Sequence, residues 1–105
     1  MKYSVVNQDF KKILFNSKSL LVRDLLFYYQ KNQYNGIAFI VSRKLGNAVV
    51  RNKFKRHCRI LFLNAQKNKA EQLQIIVRPK KKLTNNYSWI ELTRSFKEFY
   101  IKLEQ

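Results

Sequence analysis

The sequence predicts an α+β fold, a two-layer α-β sandwich. Three observations carry that class. Apolar spacing switches between strand and helix periods along the chain, the elements fall in the order helix, strand, strand, helix, strand, helix, and no repeat or linker divides them. At 105 residues the chain reads as one domain, 1–105, long enough to bury roughly 60–70% of its unfolded surface without staples.

Taken in order, Asn7 or Asp9 can start a short helix ending near Asn16, with Phe10, Ile13 and Leu14 on one face and Lys11 and Lys12 pointing elsewhere. From about Leu21 to Gln30 the residues read as one strand, with Leu25, Phe27 and Tyr29 on one side and Leu26 and Tyr28 on the other. Within the turn-forming stretch KNQYNG at 31–36, Asn35-Gly36 predicts an antiparallel hairpin into a second strand, Ile37 to Ser42.

The stretch from Ser42 to Phe62 holds the central helix, with Asn47 as its N-cap and Gly46 as the turn that delivers the chain into it. At about 100° per residue, Val50, Phe54, Cys58, Leu61 and Ala65 form an apolar side, while Arg51, Asn52, Lys55, Arg56 and Arg59 occupy an arc of roughly 140°. Gln66 to Gln72 is then a polar connection, and Leu73 to Val77 reads as a third strand ended by Pro79. Lys80, Lys81 and Lys82 make an exposed basic turn. Ser88 and Glu91 form the capping box of a closing helix whose stripe is Leu92, Phe96, Phe99 and Leu103.

A net charge of +16 and a pI near 10.3 call for a polyanionic partner, nucleic acid first and an acidic membrane surface second. The central helix sharpens this. Arg51, Lys53, Lys55 and Arg56 crowd its first turns, where the helix dipole favours acids, and the nearest acids in sequence are Asp24 and Glu71. A hydrophobic content of 46% with 8 Phe, 6 Tyr and 1 Trp excludes a disordered basic tail. With one Cys and one His, neither a disulfide framework nor a multi-Cys/His zinc site can be assembled within one chain. Cys58 reads as a buried thiol, and His57 as a partly packed helix residue rather than a general base. Met1 to Asp9 is too short and polar for a signal peptide, and no apolar run approaches a membrane span, so a cytoplasmic location is expected.

The run RKLGNAVVRNKFKR, residues 43–56, resembles the signature of bacterial ribonuclease P protein subunits. The matching positions are Gly46, Asn47, Ala48 and Val49, then Arg51, Asn52 and Lys53, then Lys55, Arg56 and Arg59. Lys53 stands where the family usually has arginine, which keeps the charge but loses the planar fork that grips phosphate bidentately. A weaker resemblance runs along nearly the whole chain. It implies a mixed sheet with a helix-bearing crossover between parallel strands, left-handed against the general rule.

The same resemblance implies a function. Arg51, Asn52, Lys53, Lys55, Arg56 and Arg59 would bind the catalytic RNA subunit, and a cleft between the first helix and the sheet would receive the single-stranded 5′ leader of precursor tRNA. Carried over by position, that cleft holds Phe10, Leu14 and Tyr28; a single strand also needs cations along its phosphates, for which Lys11, Lys12, Arg43 and Lys44 are the candidates. Leu14 stands where the family usually has another aromatic, and Phe10 reads equally as a core contact. Tyr28 has a hydroxyl suited to a wet surface.

The implied partners are ribonuclease P RNA and precursor tRNA, with no membrane and no small-molecule substrate. The implied activity is that of the protein component of an endoribonuclease that removes the leader. Chemistry and Mg²⁺ belong mainly to the RNA and the substrate, and no catalytic side chain is expected in the protein. The residue count agrees: hydrolysis by protein groups would want a His pair, a carboxylate-bound metal pair or a Cys nucleophile, and the chain has one His, one Cys and six acids. Two other classes share the charge. A small toxin-type ribonuclease would cleave RNA unaided, and a general ribosomal-type RNA-binding module would show no preference for a 5′ leader.

Overall fold

The computed structural model describes residue 5, residues 7–84 and residues 88–105. The element order is α1 (Asn7–Asn16), β1 (Lys18–Val22), β2 (Leu25–Lys31), β3 (Gly36–Phe39), a 3-10 turn at Arg43–Leu45, α2 (Ala48–Gln66), β4 (Leu73–Pro79) and α3 (Trp89–Leu103). Most of Met1 to Asp9, expected to be too polar for a signal peptide, lies outside the described residues.

The apolar run expected to be one strand is two. β1 and β2 pair antiparallel with Val22 opposite Leu25, so Arg23 and Asp24 form a two-residue turn. Arg23 takes φ 54° there, the left-handed conformation that tight hairpins require and that is ordinarily supplied by Gly or Asn. Tertiary contacts hold it instead. The Arg23 guanidinium meets Glu98 at 3.2 Å, and Lys80 N–H donates to the Asp24 carbonyl at 2.8 Å.

The expected hairpin through Asn35-Gly36 does not form. The sheet order is β1-β2-β4-β3, in which β4 pairs antiparallel with β2 and parallel with β3. The reason lies in β4 itself. Leu73, Gln74, Ile75, Ile76 and Val77 are all buried, so the strand is covered on both faces, as the inner strand of a sheet is. Asn35 is engaged elsewhere, its Oδ1 accepting from Leu73 N–H at 2.9 Å and from Gln66 Nε2 at 2.8 Å. β3 stops at Phe39 rather than Ser42, after which the chain turns into Arg43–Leu45.

A parallel pair cannot be closed by a tight turn and needs a long crossover. Here α2 is that crossover, running between β3 and β4. The pleat then assigns the faces. Phe27, Ile37, Ile75 and Val77 point toward α2 and α3 and join Phe54, Cys58, Phe62, Leu92, Phe96 and Phe99 in one core. Phe27 stacks on Phe99 at 4.2 Å and meets Phe96 edge-on at 5.3 Å. The opposite face carries Tyr28, Gln74 and Ile76, and α1 lies across it on β2 and β4, with Ile13 and Ile76 fully buried.

The buried row of α2 is Val50, Phe54, Cys58, Phe62 and Gln66, not the expected Val50, Phe54, Cys58, Leu61 and Ala65. Leu61 packs at the margin of the core. Rows of i, i+4 residues are inclined about 26° to the helix axis, so the contact line drifts around α2 and ends on Gln66. That residue, expected in a polar connection, is the buried end of the helix. Its Nε2 donates to Asn35 Oδ1 and, at 3.1 Å, to the Glu71 carbonyl, while its Oε1 accepts from the Tyr100 hydroxyl at 2.7 Å. On the other face, Gln74 Oε1 accepts from Asn32 Nδ2 at 2.7 Å and its Nε2 donates to Asp9 Oδ2 at 3.1 Å.

Gln66 is thus a three-way polar joint between α2, α3 and the strand ends. Gln66→Ala is expected to cost about 1–3 kcal/mol by leaving buried partners unsatisfied, and Tyr100→Phe about 0.5–1.5 kcal/mol. Urea unfolding should show lower midpoints with unchanged m-values.

Candidate RNA interface

The site begins with how α2 starts. Asn47 is the N-cap as expected, its side-chain oxygen accepting from Val50 N–H at 2.9 Å. Gly46 does not act as the expected turn residue: its backbone is extended, with φ 165°. Its lack of a side chain matters for another reason. A Cβ at Gly46 would lie 2.9 Å from the Leu83 carbonyl oxygen, where the 80s segment closes against it through Leu83 N–H donating to the Leu45 carbonyl at 2.6 Å. The N-terminus of α2 is therefore clamped between the 3-10 turn and the segment after β4.

From that clamped start the cations project. Asn52 and Arg56 are exposed, and Arg51, Lys53, Lys55 and Arg59 are half-buried. Two of them are oriented by the fold. Arg51 Nε donates to the Gly46 carbonyl at 3.1 Å. The Arg59 guanidinium lies 5.2 Å from the centre of the Phe39 ring, which itself meets Phe54 edge-on. Arg59 Nε is buried without a hydrogen-bond partner among the described residues.

Among the described residues no acid pairs with Arg51, Lys55, Arg56 or Arg59. The ion pairs there join Arg23 to Glu98, Lys31 to Glu71, Lys69 to Glu104 and Lys81 to Asp24. Nothing in the sequence singles out Phe39 as a site residue. It lies two positions from Ile37 on β3, and only the crossover brings α2 over it.

The expected leader residues fall into two groups. Phe10 and Leu14 flank the buried Ile13 on α1, half-buried, and Tyr28 is half-buried on the sheet face that α1 crosses. Lys11 and Lys12 are exposed on α1. Arg43 and Lys44 are exposed on the 3-10 turn beyond the end of edge strand β3, on a different element from the α1 cations.

Among the described residues, three titratable side chains are shifted by their surroundings. Cys58 is fully buried, and burial pushes its thiol well above the ordinary range despite the nearby Arg59 charge. Burial likewise raises the Tyr100 phenol. Partial burial, then the charges of Arg56 and Lys53, lower the His57 pKa, so its imidazole is neutral at neutral pH. Among the described residues no group of three or more His, Cys, Asp or Glu could hold a metal ion, and no helix is long and apolar enough to cross a membrane.

The Ribonuclease P family model matches residues 5–104. The chain belongs to the ribonuclease P protein family. The ribonuclease P protein component of Macrococcus caseolyticus is 39% identical over 85 residues, covering 76% of this chain and 74% of that one. The corresponding protein of Petrotoga mobilis is 31% identical over 91 residues, covering 85% and 77%. The Thermotoga maritima RNase P protein superposes with a TM-score of 0.78 at 26% identity over 94% of each chain. The Staphylococcus aureus RNase P protein superposes at 0.76 with 27% identity over 100% and 96%. Family membership makes this the protein component of the ribonuclease P holoenzyme, an RNA-binding protein of tRNA 5′ maturation, with an RNA partner. The α+β class and the mixed four-stranded sheet agree with those relatives.

Stability should separate the frame from the cations. Phe54→Ala should cost about 3–5 kcal/mol through a core cavity, and Gly46→Ala about 1–3 kcal/mol by overpacking against Leu83. Arg56→Ala should stay within about 0.5 kcal/mol. Chemical denaturation of the three variants checks the ranking.

Proposed function

We propose that α2 binds ribonuclease P RNA through Arg51, Asn52, Lys53, Lys55, Arg56 and Arg59, and that the face between α1 and the sheet binds the 5′ leader of precursor tRNA through Phe10, Leu14 and Tyr28. Lys11, Lys12, Arg43 and Lys44 follow the leader phosphates. The observation that carries the reading is the set of α2 cations held on a clamped helix, with no acid among the described residues paired to Arg51, Lys55, Arg56 and Arg59. A charged face meant for solvation would ordinarily be interspersed with acids.

The chemistry on this reading belongs to the RNA. The protein screens repulsion between two polyanions and positions the leader in the cytoplasm, with Mg²⁺ held by the RNA and the substrate. The acids are dispersed over the fold: Asp9 faces Gln74, Asp24, Glu71, Glu98 and Glu104 each face a cation, and Glu91 is exposed in the first turn of α3. Single strands are gripped by aromatic platforms worth about 1–3 kcal/mol per stacked base, flanked by cations, which suits Tyr28 beside α1.

The deciding experiment is precursor-tRNA cleavage with and without a bacterial ribonuclease P RNA. Protein alone should leave the substrate intact. Protein with RNA should cut at the leader junction and need less Mg²⁺ than RNA alone, most visibly at low ionic strength. Efficient cleavage by the protein alone, abolished by His57→Ala, would instead make the chain a self-sufficient ribonuclease.

Two sets of variants map the contacts. Arg51→Ala, Arg56→Ala and Arg59→Ala should each weaken RNA-subunit binding and reduce the log-log salt slope by roughly 0.7–0.9 per lost phosphate contact. An unchanged slope in all three would assign these charges to solubility. Tyr28→Ala and Phe10→Ala should weaken binding of tRNA that carries a leader and spare mature tRNA; equal loss for both ligands would make them core residues.

A further inference from the structure

The cationic arc of α2 does not end at Arg56. At about 100° per residue, Val49, Ile60, Lys53 and His57 continue around the helix from Arg56 toward α3. Val49 is 74% exposed and Ile60 43% exposed. Across from them, α3 begins with Trp89, 41% exposed, and Ile90, 62% exposed. The two helices meet here through rings: the His57 imidazole and the Trp89 indole stand 4.6 Å apart at 76°. One turn further along each helix, Leu61 and Thr93 line a groove between α2 and α3 of about 520 Å³. A soluble surface does not ordinarily gather an indole, an imidazole and three exposed aliphatics beside a cationic ridge.

We propose that the Trp89 indole, held edge-to-face by the His57 imidazole, is a stacking platform for an unpaired base of the ribonuclease P RNA, a contact separate from the phosphate contacts of the cationic arc. The inference rests on the reading that α2 binds that RNA. Charge selects a polyanion over an apolar protein partner. Lys53 and Arg56 lie close enough to act electrostatically on His57, and exposed Arg94 follows one turn after Ile90, against Glu91 in the first turn of α3. Unpaired RNA bases are recognised by stacking on Trp, His and other aromatic faces flanked by cations. The RNA subunit rather than the leader is the source, because the face proposed for the leader lies on the other side of the sheet, beneath α1.

The chain contains a single tryptophan, so its intrinsic emission reports this surface directly. Binding of ribonuclease P RNA to the wild-type protein, followed in parallel by filter retention, should quench Trp89 emission and shield it from acrylamide. Trp89→Ala should lower affinity about 5- to 150-fold, the range that one lost stack implies, with the salt slope unchanged because no phosphate contact is removed. Trp89→Phe should retain most of the affinity. RNA binding at full affinity with Trp89 still open to acrylamide would overturn the platform and leave the cationic-arc reading intact. Failure of the RNA to bind at all would overturn both. The wild-type emission measurement stands even if Trp89→Ala folds poorly.

Discussion

The structure depends on the burial of β4. Five consecutive residues of this strand are buried, alternating between a core of Leu73, Ile75 and Val77 and a second face of Gln74 and Ile76. A strand covered on both faces belongs inside the sheet, and β4 takes β2 on one side and β3 on the other. Because β3 runs parallel to β4, the chain must cross over a face of the sheet to connect them. The segment that crosses carries the cationic arc. The position of α2 and its cations is thus a consequence of strand order, and strand order is a consequence of which strand is buried on both sides.

Once α2 is committed to that crossover, its inclined buried row decides where its charges go. Val50, Phe54, Cys58 and Phe62 occupy the sheet-facing line, so Arg51, Lys55 and Arg59 emerge along the β3 flank while Lys53 and His57 emerge toward α3. The β3 flank explains Phe39, whose ring lies under the Arg59 guanidinium. A cation resting on an aromatic face keeps its direction without an acid to anchor it, which leaves its charge available to phosphate.

Polar joints fix the far end of the sheet. Gln66 ties α2 to Asn35 and Tyr100, and Gln74 ties β4 to Asn32 and, through Asp9, to α1. Glu71 and Glu104 also sit near the C-terminal end of α2, paired with Lys31 and Lys69. Acids are thereby engaged at one end of the helix, while its N-terminal turns carry cations that a helix dipole alone would disfavour.

Features contained within a few turns of chain were legible from the residues alone. The 3.6-residue stripe and the caps Asn47 and Ser88 placed α2 and α3, the apolar run placed β4, and the run RKLGNAVVRNKFKR marked the family. What depended on distant segments emerged with the folded chain. The run from Leu21 to Gln30 splits at Arg23-Asp24, a turn without Gly or Asn whose left-handed residue is held by Glu98 from α3. β4 inserts where Asn35-Gly36 pointed to a hairpin, because the local turn preference yields to burying both faces of β4. Phe39 comes under Arg59 and Trp89 beside His57, pairs that no spacing along the chain predicts, since each joins elements whose contact exists only after the crossover has formed.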